Sequence, residues 1–143
     1  MVKRSITYKL ITVITGVVIG VLAFILLGPR DTSKIRTKAR LTSVELVEKM
    51  NTSDSLQLND YIEKAIEVEG PIKNITQKNG KVTIILDGDI SNKLIICEMQ
   101  SNQYKSMDTL SIGEIVNIKG VFKGVLLDAI LLNCILIDKN TNG

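Results

Sequence analysis

The spacing of apolar residues changes along this 143-residue chain, and the first pattern is a long uninterrupted run. Residues 10–28 are nineteen consecutive uncharged positions, LITVITGVVIGVLAFILLG. A helix of that length spans about 28 Å, close to the hydrocarbon thickness of a bilayer. Core helices of soluble proteins seldom run so far without a polar face. The pattern predicts a transmembrane helix over residues 10–28, preceded by a basic tail over residues 1–9.

A shorter amphipathic segment follows the apolar run. Thr42 and Ser43 are typical N-cap residues, and they precede apolar residues that recur on one face of a helix: Val44, Val47 and Met50. The spacing therefore predicts a short helix near residue 43.

From Ala65 onward the apolar period approaches two, which indicates strands with one buried face. Asn79-Gly80 is the strongest hairpin signal in the chain, and Pro71 indicates an edge, a bulge or a bend. Gly124 is expected to turn the chain between the last two strands. The expected strands cover residues 65–75, 81–86, 93–99, 115–121 and 125–137. Five strands, with a weakly helical piece over residues 101–110, predict a mainly β fold and a small barrel.

Charge divides the chain into two parts. Residues 1–40 hold eight Lys or Arg and one acid, whereas residues 41–143 hold ten Lys and fourteen acids. Residues 29–40 are therefore predicted to be a basic juxtamembrane linker that contacts lipid headgroups. The barrel, over residues 41–138 and followed by a tail over residues 139–143, is expected to be mildly acidic.

The composition argues against catalysis. The chain contains no His, which removes the commonest general base and most zinc sites. Asp87 and Asp89 form a close acidic pair in a predicted turn, but two carboxylates fall short of the six to eight oxygens that Ca²⁺ prefers. The chain is expected to be no enzyme and to need no metal or cofactor.

A series of residues in the second half of the chain resembles the tRNA-anti-like family of OB-fold domains. The series runs over about residues 41–138 and consists of Leu46, Tyr61-x-x-Lys64, Ile66-x-Val68-x-Gly70, Cys97, Gly113-Glu114-x-Val116-x-Ile118-x-Gly120, Asp128 and Asn133-Cys134. The resemblance implies a five-stranded OB-type Greek-key barrel behind an N-terminal membrane or export segment. Members of the family mostly lack an assigned activity.

The OB topology that the resemblance implies places Cys97 and Cys134 on neighbouring strands. We therefore expect a disulfide between them, with two buried free thiols as the alternative. OB barrels usually bind along the exposed face of their second and third strands. In this sequence that face includes five candidate ligand residues: Lys81, Thr83, Asp87, Asp89 and Lys93.

These features favour a membrane-anchored, non-catalytic binding module for a protein, peptide or oligosaccharide. Single-stranded nucleic-acid binding is one alternative, and a structural subunit of a membrane complex is another. Nucleic-acid binding needs a positive groove and aromatic platforms. The domain is acidic, and its only aromatic residues are Tyr61, Tyr104 and Phe122. Nucleic acid is therefore not expected to be a partner.

The apolar run is expected to place the chain in the cell membrane as a single-pass protein, with the lipid bilayer as a partner through residues 10–28. A cleavable signal peptide is the alternative, although no A-x-A-like site follows the run. Lysines and arginines on both flanks leave the orientation open, and the short basic leader favours an extracytoplasmic barrel. Gly16 and Gly20 form a small-x-x-x-small pair that would suit a helix-mediated dimer.

Overall fold

The computed structural model describes residues 2–28, 31–52, 55–88 and 92–140. The chain divides into two compact units, Met1–Arg30 and Asp31–Gly143. Asp89, one of the expected ligand residues, lies outside the described residues.

The first unit is a single helix, α1, over Val2–Leu27. It is long and apolar enough to cross a membrane over Ile6–Leu26, and that stretch is not buried against other parts of the chain. The hydroxyls of Thr12 and Thr15 bond to backbone carbonyls of the preceding turn, so they do not add unpaired polar groups to this surface. Anchors and signal sequences share these properties.

Gly16 and Gly20 leave open space on this helix, because a Cβ built at either position meets no atom within 4 Å. A second helix would have room to approach closely along that face. The dimer nevertheless stays a prediction.

The described part of the second unit contains six strands, which we number in chain order. They are β1 Ala39–Thr42, β2 Ala65–Lys78, β3 Lys81–Asp87, β4 Leu94–Met99, β5 Ile115–Val125 and β6 Ala129–Asn140. Five of them form a closed barrel in the order β2-β3-β4-β6-β5, because β2 also pairs with β5. Strands β4 and β6 run parallel to each other, and the other neighbours within the barrel are antiparallel. The predicted mainly β, five-stranded barrel is confirmed, and β1 is an additional strand beside it.

Short helices complete this unit. They are α2 Ser43–Asn51, α3 Ser55–Asn59 and α4 Tyr104–Met107, with 3₁₀ turns at Thr32–Lys34 and Ser101–Gln103. The predicted start of α2 is confirmed, because Thr42 and Glu45 form a reciprocal capping box there. Leu46 and Val47 of α2 are fully buried in the barrel core. The helix therefore contributes to the core as well as linking β1 to the barrel.

The core consists almost entirely of aliphatic side chains, and Phe122 is its one large aromatic residue among those described. Its fully buried members on the strands include Ile66, Val68, Ile84, Leu86, Ile95, Val116, Ile118 and Leu131. Apolar burial of this kind supplies the main driving force for folding. None of these residues belongs to α1, so the barrel has a complete core of its own.

One predicted turn is confirmed, and another is wrong. Asn79 and Gly80 have positive φ angles of 52° and 73° and join β2 to β3, so the hairpin prediction is confirmed. The prediction that Gly124 turns the chain is wrong. Gly124 has φ 125° and lies within β5 at an irregularity of its pairing with β6. The chain instead reverses at residues 126–128.

Residues 31–42, which we call the strap, lie on the barrel before its first helix. Thr32 is fully buried, and its hydroxyl donates to the backbone oxygen of Asn133 at 2.6 Å. The Gln100 side-chain amide donates to the Thr32 hydroxyl oxygen at 3.1 Å and to the Asn133 backbone oxygen at 3.2 Å. The strap then continues as β1, which pairs in parallel with residues 66–69 of β2. The residues predicted to be a basic linker, 29–40, thus include a segment that packs on the barrel from position 31.

A buried carboxylate holds the middle of the strap. Glu67 of β2 is 7% exposed and accepts from Thr37 Oγ1 at 2.5 Å and from Arg40 Nε at 2.7 Å. Its cross-strand neighbour Lys119, also 7% exposed, donates from Nζ to the Ile35 carbonyl at 2.5 Å. Buried charges are stable only when such partners satisfy them. Two barrel residues therefore bind three successive parts of the strap.

The pKa of Glu67 reflects this arrangement. Burial on its own would raise the pKa, but the hydrogen bonds from Thr37 and Arg40 outweigh it and hold the pKa below its usual value of 4.5. A carboxyl whose pKa is depressed by folding stabilises the fold above its unfolded pKa. That stabilisation is lost as the pH falls through the folded pKa.

The substitution Glu67→Gln tests the role of this carboxylate. At neutral pH it should lower the free energy of unfolding by about 1–3 kcal/mol, because charged hydrogen bonds in a buried site are lost. The difference from the native chain should shrink as the pH falls well below 4.5, where Glu67 itself is protonated. Urea unfolding of the full chain at several pH values measures both effects.

The matched control is Glu98→Gln, because Glu98 also pairs with a cation, Lys81 Nζ, at 2.9 Å, but on a more exposed surface. Exposed pairs contribute about 0–1 kcal/mol, so this variant should change little at either pH. Equal, pH-independent losses in the two variants would contradict the proposed role of Glu67.

Cys97 and Cys134 lie together in the core as free, fully buried thiols on β4 and β6. Burial, together with a hydrogen bond to Cys97, raises the pKa of the Cys134 thiol well above its usual range. The packing is tight, since a Cβ at Gly120 would lie 2.5 Å from the Cys134 sulfur. The two residues are neighbours as the resemblance implied, and the bond between them stays a prediction.

Peptide mapping without reductant tests the disulfide in protein isolated from its native cells. A peptide that joins Cys97 to Cys134 is expected, since closing this loop would contribute about 4 kcal/mol in the chain-entropy description. Two thiols that alkylate after denaturation without reductant would contradict the bond. In that case the raised pKa of Cys134 predicts no alkylation before denaturation.

Candidate functional site

The residues predicted to form a ligand face lie where β3 and β4 present their outer side. Lys81, Thr83 and Asp87 occupy the outward positions of β3, which alternate with buried apolar residues. Lys93 directly precedes β4 and is partly exposed. The structure thus brings three of the predicted residues onto one strand face, with Lys93 at the start of the neighbouring strand.

Acidic partners pair with two lysines at this face, Lys81 and Lys73. Lys81 Nζ lies 2.9 Å from Glu98 Oε1, and Lys73 Nζ lies 3.4 Å from Asp87 Oδ2. The hydrogen bond and the charge of Glu98 raise the pKa of Lys81. The face therefore has little net positive charge to offer a polyanion.

An apolar row runs across the same outer face. Ile85 of β3, Ile96 of β4 and Ile130 of β6 are in register across the three strands and half-buried. The sequence analysis missed this row. The sequence does contain a signal for this row. The apolar residues of β3 and β4 are consecutive, so that Ile85 and Ile96 occupy outward positions where a polar residue is usual.

The strap carries a row of three exposed cations, of which Arg40 is paired with Glu67. Arg36, Lys38 and Arg40 are exposed and alternate with Thr37 and Ala39, and all five line a shallow groove of about 450 Å³. The Arg40 side chain is 79% exposed although its Nε is bonded to Glu67. Within the described ranges, Arg36 and Lys38 form no ion pair, unlike the lysines beside β3. The strap is therefore the most cationic ordered surface that we find on the barrel.

This row was misread in the sequence as part of a linker. The available signal was a period of two, because cations at 34, 36, 38 and 40 alternate with Ile35, Thr37, Ala39 and Leu41. Such alternation is typical of a strand with one solvent face. Counted from Asp31, the folded unit holds fourteen cations and fifteen acids, a net charge of −1. The barrel is therefore less acidic than a boundary at residue 41 suggests.

The aromatic residues differ in accessibility. Phe122 is fully buried, whereas Tyr61 and Tyr104 are both half-buried and pack against the core. Tyr104 also lines a cleft of about 400 Å³ beside the β2–β3 hairpin, together with Gln77 and Lys105. One tyrosine is thus positioned to meet a planar ligand.

Among the described residues, no group of three or more His, Cys, Asp or Glu side chains is arranged to hold a metal ion. The absence of an enzymatic activity stays a prediction.

Solved structures with the same fold include a candidate nucleic acid-binding lipoprotein from Klebsiella pneumoniae. It is 18% identical, with a TM-score of 0.59 over 69% of this chain and 91% of that chain. A candidate aspartyl-tRNA synthetase from Leishmania major is 8% identical, with a TM-score of 0.48 over 73% of this chain and 21% of that one. The S. pombe Stn1-ten1 complex is 18% identical, with a TM-score of 0.42 over 52% of this chain and 59% of that one. No curated protein matches the chain in sequence.

The prediction that nucleic acid is not a partner is contradicted by the family match and by the Klebsiella structure. The Klebsiella protein that shares the fold is described as binding nucleic acid, and the matching family carries a tRNA-related name. The prediction was wrong because the charge of the domain was counted from residue 41. The folded unit begins at Asp31, so it also contains the cations of the strap. The family described as tRNA-anti-like matches residues 1–136, and the chain belongs to that family.

Proposed function

We propose that this chain is a membrane-anchored, non-catalytic OB-fold module that binds single-stranded nucleic acid. The observation that supports this function best is the row of exposed strap cations, held in place by Glu67 and Lys119. In this proposal the strap binds the phosphates, and the barrel supplies the rigid support.

The geometry of the strap suits a polyanion. Arg36, Lys38 and Arg40 are all exposed, and they line the same groove together with Thr37 and Ala39. Proteins that bind single strands without sequence preference combine such a cationic track with surfaces on which bases stack. Tyr104 and the outer isoleucine row are two partly exposed apolar surfaces of this barrel. Few bases would stack on aromatic rings, so weak sequence preference is expected.

The anchor is the second part of the proposal. Helix α1 is apolar over Ile6–Leu26, and the residues after it offer no A-x-A-like cleavage site. An uncleaved helix would keep the barrel at the membrane as a single-pass protein. The proposal leaves the side of the membrane open.

Alkaline carbonate extraction tests the anchor. The full-length chain should remain with the membrane pellet, because a spanning helix is held by apolar transfer rather than by charge. A shortened chain or release into the supernatant would contradict an uncleaved anchor.

The nucleic-acid part is tested with the double substitution Arg36→Ala and Lys38→Ala, which leaves Arg40 bonded to Glu67. Fluorescence anisotropy with a labelled single-stranded oligonucleotide is measured on the full chain in nanodiscs as a function of salt. Each phosphate contact contributes about 0.7 to the slope of log affinity against log salt, so this variant should lower the slope by about 1.4.

The matched control removes two other lysines, Lys49→Ala and Lys64→Ala, which changes the net charge equally. This control should keep a slope closer to that of the native chain. Equal loss in both variants, or no binding by the native chain at about 50 mM salt, would contradict the proposed role of the strap.

A further inference from the structure

The turn between β5 and β6 exposes two adjacent leucines. Leu126 is 83% exposed and Leu127 is 84% exposed. Among the large apolar side chains described in the barrel unit, no other is as exposed. Exposure of two neighbouring leucines in water is unfavourable, which makes this turn the clearest unexplained apolar feature of the barrel.

Backbone and side-chain bonds hold the turn in place. The Leu126 amide donates to the Asp128 carbonyl at 3.1 Å, and the Leu94 amide donates to Asp128 Oδ1 at 2.9 Å. Val125 and Ala129 are paired on either side, at the ends of β5 and β6. The leucines therefore project from a fixed support and do not fold back onto the core.

Basic residues flank the apolar tip. Lys93 precedes Leu94, which is bonded to the turn, and Lys123 lies three positions before Leu126. Lys123 is 35% exposed in its side chain and pairs with Glu63 at 2.8 Å. Leucine at the tip with lysine nearby is typical of surfaces that lie at a lipid interface, where long cationic side chains reach the headgroups. Lys93 is the lysine that would do so here, since Lys123 is bonded to Glu63.

We propose that the turn over residues 126–128 inserts Leu126 and Leu127 into the interface of a lipid bilayer. The inference rests on the anchor part of the proposed function, because a helix in the same bilayer raises the effective concentration of the turn at the membrane. A weak apolar contact is then sufficient. A tip of two side chains is far smaller than the roughly 800 Å² per partner of a stable protein interface, so the bilayer is the favoured partner.

The sequence provides a clean optical probe, because the chain contains no Trp. The single variant L127W is reconstituted as the full chain in phosphatidylcholine vesicles with and without brominated acyl chains. Its indole emission should shift to shorter wavelength, and brominated lipid should quench it by at least twofold.

The matched control is I112W. Ile112 is another apolar residue in a turn, 71% exposed, directly before Gly113. Its indole should emit as in water and show little quenching by brominated lipid. Equal quenching at both positions would overturn the assignment to this turn.

Two other results would also overturn the inference. In the first, the L127W indole stays water-exposed and unquenched, although carbonate does not release the chain from the vesicles. The anchor would then hold while the turn stayed out of the lipid. The other is a blue shift that depends on protein concentration and ignores brominated lipid, which would indicate contact between copies of the chain.

Discussion

A buried carboxylate and the lysine beside it hold the middle of the strap on the barrel. Glu67 satisfies two strap side chains, while its neighbour Lys119 satisfies a strap carbonyl. Without this pair, the polar atoms of residues 35–40 would lie against the barrel with fewer partners, and unpaired buried polar groups are costly. The positions of Arg36 and Lys38 depend on this pair indirectly, because Glu67 and Lys119 hold the backbone that carries them.

This attachment changes how charge on the molecule is understood. Cations in a free linker would be averaged over many conformations, whereas cations on a strap that packs on the barrel line one groove. The β3–β4 face, where OB barrels usually bind, is by contrast balanced by its own acids. The two surfaces therefore differ in what they can recognise, since one is cationic and the other has an apolar centre with neutralised edges.

Local signals in the sequence were sufficient for the parts of the fold that depend on neighbouring residues. The apolar helix, the Thr42 cap and the Asn79-Gly80 hairpin are all encoded within a few positions. Strand β1 has only four residues and is ordered by pairing with β2. The basic composition of the residues before it therefore outweighed the period-two pattern in the prediction of a linker. Gly124 was mistaken for a turn because glycine suits both turns and the irregular strand pairing found here.

The candidate site was predictable to a lesser degree. The resemblance placed Lys81, Thr83 and Asp87 on the outer face of the right strand. The resemblance could not give the ion-pair partners of these residues. Lys81 and Glu98 are seventeen positions apart in the sequence, and their pairing depends on the register between β3 and β4. The apolar row depends on register across three strands in the same way. The register between strands thus decides which side chains of this face remain available to a ligand.

The bond between Thr32 and Asn133 also has a consequence for the order of folding, because its partners are 101 positions apart. During synthesis the strap emerges from the ribosome early, but its acceptor belongs to β6, the last strand to be made. Contacts this distant in sequence form late, after the loop-closure entropy has been overcome by the intervening pairings. A nascent chain would therefore keep the start of its strap, at Thr32, undocked until translation is nearly complete, although β2, the partner of β1, is made much earlier.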